Sequence, residues 1–364
     1  MRQSVLRLAD GAASKSAMSR APILSSAFVA LSAFLLSVPA QAIATVPAAS
    51  MVVSEQSDDT ALFGAMRDAD ARLATIAWRL ATADAAICRD VAPTPGLVVH
   101  AIDQYDPAVR KQLPALFGFE GPVAVEAVVA GSAAAKAGVL ANDTIEAVDG
   151  KPLSLDPAGT AQASTATRDA AQRRIAAEPA DRPLHLSLLR KGQRREVTIA
   201  AQPGCRSRFE MLIGPGLSAS ADGDIVQIGS RFFERFDDRM IAVVVAHEFS
   251  HNILHHRERL DAAGVKRGLL SEFGRNGRLF RQTETEADLL GVHLMRNAGY
   301  DPQDAVRFWR EHGGEVDGGL FRSRTHPSAS ARADAVAAEI AAIPAGAPIP
   351  YRPPLLDHAA EPLQ

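Results

Sequence analysis

The pentapeptide His247-Glu248-Phe249-Ser250-His251 limits what this 364-residue chain can be more than any other stretch of it. An apolar run from Met240 to Val245 leads into it, and no glycine or proline occurs from Met240 to Glu258, so the sequence predicts one unbroken helix across the motif. Residues four apart on a helix differ by about 40° in azimuth. His247 and His251 therefore project together and can bring two imidazole nitrogens to one tetrahedral zinc ion. Glu248 is offset by about 100° and falls beside the ion, where a carboxylate can accept a proton from a metal-activated water. His255 and His256 continue the same helix, about one turn further along, and are read as non-ligands.

Two ligands do not close a zinc site, and the third must be sought downstream. A metzincin continuation is excluded, because Leu254 and Arg257 stand where that class needs glycine and histidine. Glu284-Thr-Glu286-Ala287-Asp288-Leu-Leu-Gly291 opens a second helix, packed through Leu289, Leu290, Val292, Leu294 and Met295, and a carboxylate in its first turn can complete a His-His-Glu set. The pairing of HExxH with ExxAD resembles the gluzincin metallopeptidases that include HtpX, BepA and the CaaX prenyl protease, peptidase family M48. Ala298-Gly-Tyr-Asp-Pro302 and Thr325-His326-Pro327 followed by Arg332 extend the resemblance, which runs from about Gly214 to Ile340.

The resemblance implies a single zinc ion on His247, His251 and Glu284, with Glu248 as general base and Asp288 orienting a ligand histidine. It places His326 near the metal, steadying an oxyanion or occupying the water position, and leaves Glu286 facing solvent. It also gives the strand Asp224 to Gly229 an exposed edge on which a substrate could lie extended. The implied activity is zinc-dependent endopeptidase action on protein or peptide substrates, among them misfolded or unassembled cell-envelope proteins.

Upstream, short aliphatic and β-branched runs (Val123 to Val129, Thr144 to Val148, Leu184 to Leu189, Glu196 to Ile199) are separated by turn residues and read as strands. Gly131 to Gly150 resembles the core signature of bacterial PDZ domains, with Asn142 where that family usually has glycine; asparagine also visits the left-handed region. Leu155 to Pro183 suits the family's second helix. By this resemblance Phe117, Gly118 and Phe119 form a peptide-binding loop for a terminal carboxylate, a buried aromatic turn without a ligand being the alternative, and the domain takes C-terminal peptides as an added strand.

The N-terminus carries Arg2, Arg7, Lys15 and Arg20, then an uncharged run from Ala21 to Val38 and Pro39-Ala40-Gln41-Ala42. That order predicts a signal peptide cleaved after Ala42 and a periplasmic or otherwise exported protein; a leader retained as an inner-membrane anchor is the alternative, and membrane contact is expected only in that case. Cys88 and Cys205 are the only cysteines, and in an oxidising compartment they are expected to pair; two inert buried thiols are the alternative. A net charge of -3 supplies no basic field, which argues against nucleic acid as a partner.

The expected architecture is α+β: signal peptide 1–42, linker and amphipathic helix 43–95, PDZ-like domain 96–203, zinc metallopeptidase domain 204–343, and a disordered proline-rich tail 344–364. The linker is Ile43 to Asp58, and the helix carries Leu62, Leu73, Ile76 and Leu80 on one face. The glycines between His256 and Arg281, with Leu269-Leu270 among them, suggest a mobile cover over the cleft. The competing functional reading is a PDZ-led binding or chaperone-like envelope protein whose proteolysis is latent.

Overall fold

Apolar residues at three- and four-residue spacing turn the first segment into a long helix, α1 (Ala48–Ala83). The computed structural model describes residues 48–153, 162–265, 274–316 and 327–363. The leader with its cleavage site, His326, and the Gly268 to Leu270 stretch lie outside those residues. Ala48 to Asp58, expected as linker, is helical, and the sequence contains no glycine or proline from Ala48 to Phe63 to interrupt it. Residues from Gly64 onward form one compact unit.

Within that unit, Leu73, Ile76 and Leu80 of α1 join the core of the C-terminal domain rather than the β-rich one. The chain then leaves through β1 (Val91–Pro93) and returns through β8 (Pro203–Cys205), which pair antiparallel as a stem. A disulfide joins Cys88 to Cys205 at this stem, with Cα atoms 5.5 Å apart. The β-rich domain is thus an insertion whose exit and return are held together.

The insertion is an antiparallel sheet of β2 (Leu97–Ala101), β3 (Val123–Val128), β4 (Thr144–Val148), β6 (Leu184–Arg190) and β7 (Gln193–Ile199) in that order, with β5 (Lys151–Pro152) beside β4. Two short helices, α2 (Leu113–Phe117) and α3 (Ala133–Lys136), lie in its connections. A third, α4 (Ala166–Ala176), closes the core, burying Ala171 and Ile175 against Val99, Val125, Leu186 and Ile199. Asp149 and Gly150 both take positive φ, 46° and 70°, as the tight β4–β5 hairpin requires. Asn142 takes φ 73°, the left-handed conformation anticipated for it.

The C-terminal domain begins with a three-stranded sheet, β9 (Arg208–Leu212), β10 (Ala219–Ala221) and β11 (Ile225–Gly229), in the order β10-β11-β9. The strand expected to offer a free edge, Asp224 to Gly229, is therefore the central one. Among the described residues β10 is the edge instead, because Ala219 to Ala221 pairs back on Val226 to Ile228 and covers it.

Helices α5 (Arg231–Arg235), α6 (Asp238–Ile253), α7 (His256–Ala262), α8 (Gly274–Asn297), α9 (Gln303–Val316) and α10 (Ala329–Ala342) complete the domain. The helix expected to run unbroken to Glu258 stops at Ile253, and His255 takes φ 52° before α7 starts. Such a conformation costs a residue with a Cβ about 1–2 kcal/mol. Contacts on both sides offset it: His255 pairs with Asp90 at 3.2 Å, and Asn252 accepts from Gly223 N and donates to Ser207. Much of the expected mobile cover is helical, divided between α7 and the start of α8.

The tail is ordered through its described residues. Its proline-rich backbone has carbonyls with no partners of their own, and side chains of α7 and α8 take them. Arg296 donates to Ala347 O and Pro348 O, Asn297 exchanges two hydrogen bonds with Tyr351, and Arg259 donates to Glu361 O. Leu363 ends buried against Leu260, Val265 and Leu279.

Candidate metal centre

Asp237 caps α6 by accepting from Arg239 N and Met240 N, and Ile241, Val245 and Phe249 anchor the buried face of the helix. That anchoring turns His247 and His251 toward α8, whose Gly291 lacks a side chain where it meets the α6 backbone; a Cβ there would sit 3.4 Å from His247 N. The crossing brings Glu284 opposite both histidines. Glu284 lies in the third turn of α8 rather than the first, since the helix starts ten residues earlier at Gly274.

The two Nε2 atoms stand 3.3 Å apart, His247 Nε2 is 3.3 Å from Glu284 Oε2, and His251 Nε2 is 3.5 Å from Glu284 Oε1. Ligands at about 2.0–2.1 Å from a tetrahedral zinc are separated by about 3.3–3.4 Å, so donor types and spacing both suit that ion. Among the described residues, these three form the group of His, Cys, Asp and Glu side chains able to hold a metal.

Each of the two histidines is fixed from behind. His247 Nδ1 lies 2.9 Å from Asp288 Oδ1, which sets Nε2 toward the centre. Arg332, from the first turn of α10, donates to both oxygens of Asp288 at 2.7 Å and stacks on the Trp309 ring at 3.4 Å. Burial alone would raise the Asp288 pKa; Arg332 and His247 outweigh it and keep the carboxylate ionised. Burial and Arg332 oppose a charge on His247, yet Asp288 and Glu284 carry its pKa up to about 10, so binding a metal at Nε2 means giving up a proton. His251, by contrast, is driven well below its usual value by burial and is neutral.

Behind His251 stands His256, with Nδ1 2.9 Å from His251 Nδ1 and Nε2 3.0 Å from Glu286 Oε2. Glu286, expected to face solvent, also accepts from Arg259 at 2.6 Å and from Gln282 at 2.8 Å. Although burial pushes its pKa up, these hydrogen bonds bring it down to about 2. Nothing in the sequence signalled this arrangement, because a helix continued past Ile253 would carry His256 away from the ligands.

Glu248 lines a cleft of about 250 Å³ with His247, His251, Glu284, Phe280 and the edge strand β10. Burial raises its pKa to about 7, with His247 lowering and Glu284 raising it further. A carboxyl group so poised can both take and return a proton near neutrality.

Residues 274–340, which include Glu284, Asp288 and Arg332, match the family model of peptidase family M48, and residues 124–190 match that of the PDZ domain. A segment similar to family M48 peptidases thus lies behind a segment similar to PDZ domains. A relative, the mitochondrial metalloendopeptidase OMA1 of Schizosaccharomyces pombe, is 30% identical over 113 residues, covering 25% of this chain. The chain spans about a third of that relative's length, 34%. Similar solved structures are the HtrA3 PDZ domain bound to a phage-derived ligand (20% identity, 31% of this chain and 89% of that one, TM-score 0.23) and the HtrA-type protease AlgW with a decapeptide (25% identity, 32% and 30%, TM-score 0.22).

In the PDZ domain, the segment expected to capture a carboxylate is core. Phe117 and Phe119 are buried, with ring centroids 5.2 and 4.4 Å from His100, and the Gly118 N–H is spent on Pro114 O at the end of α2. The apolar groove lies elsewhere, as a cavity of about 420 Å³ between β2 and α4 that Trp78 of α1 and Phe209 of β9 also line. The turn that enters β2, Pro95-Gly96-Leu97, lines that cavity, with Gly96 at φ 80°.

Proposed function

We propose that this chain is an exported zinc metalloendopeptidase of the cell envelope acting in protein quality control. The observation that carries the reading is the convergence of His247 Nε2, His251 Nε2 and the Glu284 carboxylate at separations a zinc ion spans, with Glu248 in the same cleft. Zinc, when bound there, would polarise a scissile carbonyl and acidify a water. Glu248 takes the proton from that water and returns it to the departing amine. Asp288 and Arg332 keep the His247 ring in its ligand orientation throughout. The free edge of β10 offers backbone groups along which an extended substrate strand can lie, beside Glu248. An exported setting fits the leader and the Cys88–Cys205 disulfide, and unfolded envelope proteins fit a cleft that reads backbone.

The experiment is zinc analysis followed by casein cleavage with wild type and Glu248→Gln. One zinc per chain, chelator-sensitive cleavage, and a loss of about 100-fold or more in Glu248→Gln with zinc retained are expected. Equal cleavage by both proteins overturns the role of Glu248.

A second reading, a PDZ-led binding protein with latent proteolysis, is favoured by one observation: the larger apolar cavity lies beside β2 and α4, not at the metal centre. Peptide binding there without measurable cleavage by the zinc-loaded protein would select it.

A further inference from the structure

The break between α6 and α7 sends His256 back toward the site. A helix continued through Leu254 and His255 would carry His256 about 8 Å along the axis from His251 and onto another face. Instead the left-handed His255 turns α7 back, and the His256 ring packs edge-on against His251 with centroids 4.8 Å apart. His256 is 2% exposed, and both of its nitrogens are engaged.

The tautomers follow in order from the centre outward. His251 Nε2 faces His247 and Glu284, so a metal takes that nitrogen and the ring proton resides on Nδ1. That N–H donates to His256 Nδ1, which must then be bare, and the His256 proton resides on Nε2 and donates to Glu286 Oε2. Arg259 and Gln282 fix Glu286 in turn. We infer that His256 is a positioning residue for the metal centre: it holds the His251 ring with Nε2 toward the ion, and Glu286 sets the His256 tautomer that makes this possible. His247 is served by one carboxylate, Asp288, whereas His251 is served by a carboxylate acting through an intervening imidazole.

This inference rests on the zinc reading and deepens it, and zinc affinity tests it without reference to turnover. Zinc is titrated against a competing chelator for wild type, His256→Leu, His256→Asn, Glu286→Gln and, as control, His255→Asn, with thermal unfolding of each zinc-free protein recorded alongside. Removal of such a supporting partner lowers affinity about 10–100-fold. His256→Leu is expected in that range, and Glu286→Gln severalfold below wild type. His256→Asn is expected within a few-fold of wild type, because its amide oxygen can stand where Nδ1 stood. His255→Asn, which tolerates the left-handed conformation, is expected at wild type.

A folded His256→Leu with wild-type zinc affinity overturns the inference, as does His256→Asn weakened as much as His256→Leu, since simple packing would explain that. Should His256→Leu fail to fold, Glu286→Gln decides, and wild-type affinity in it overturns the inference. Wild type that binds no zinc sinks the metallopeptidase reading itself, a result distinct from tight wild-type binding with unchanged variants.

Discussion

His247 Nδ1 lies 2.9 Å from Asp288 Oδ1, a contact between α6 and α8 that bridges 41 residues of sequence. It orients one candidate ligand ring and adds to its basicity. Asp288→Asn can present its amide nitrogen to Nδ1 and favour the wrong tautomer. A 10–100-fold loss of zinc affinity is expected, about the scale seen when such partners are removed. Chelator competition measures it, and unchanged affinity would remove Asp288 from the account.

Arg332 and Asp288 are both 2% exposed at the side chain, and they meet at 2.7 Å. Removing one member of a buried ion pair leaves the other charge uncompensated, at a cost of about 3–5 kcal/mol. Arg332→Met is expected to fall in that range by urea unfolding. Adding Asp288→Asn to it should recover part of the loss, because the stranded carboxylate is then gone. Strict additivity of the two changes would show that the pair is not coupled.

Asp84, fully buried after the end of α1, hydrogen-bonds Asn297 Nδ2 at 2.7 Å, and burial raises its pKa to about 8 against that bond. A folded-state pKa above the unfolded value of about 3.9 means that the folded chain holds the proton more tightly. This contribution is complete below about pH 4 and is lost as pH climbs toward 8. Asp84→Asn should therefore be more stable than wild type at pH 8, by about 1 kcal/mol or more, with the difference shrinking toward pH 5. A constant difference between the two proteins across that range would contradict the assignment.

Removing residues 344–364 strips carbonyl partners from Arg296, Asn297 and Arg259 and uncovers Leu260 and Leu279 where Leu363 packs. Burial of one leucine is worth about 1.5–3 kcal/mol, and the lost hydrogen bonds add to that. A chain ending at Ile343 is expected to lose about 2–4 kcal/mol of stability. It should also bind zinc less tightly, because Arg259 anchors the helix that carries His256. Full stability in the truncated chain would return the tail to the role its composition suggested.

The strands of the β-rich domain were legible because they fall on short β-branched and aliphatic runs between turn residues, and the hairpin and Asn142 turns were legible because few residues take positive φ. Of the two readings of Leu116-Phe117-Gly118-Phe119, the structure shows the buried aromatic turn: the segment has the composition of a carboxylate-binding loop while its rings fill the space around His100. Composition alone cannot distinguish an aromatic pair that faces a ligand from one that fills a core.

By itself the sequence determined that His247 and His251 share one face of α6, since four-residue spacing on a helix is a local property, and it pointed to Glu284 and Asp288 through motif resemblance. Only the tertiary structure decided that α6 ends at Ile253, that His256 and Glu286 stand behind His251, that β10 rather than β11 is the free edge, and that the tail is pinned. Apart from the β10 edge, which a short turn makes, those outcomes depend on partners far away in the chain, Asp90, Ser207, Gly223, Arg259 and Arg296 among them. Local propensity cannot encode a helix break or an ordered tail when contacts made only in the folded chain offset their cost.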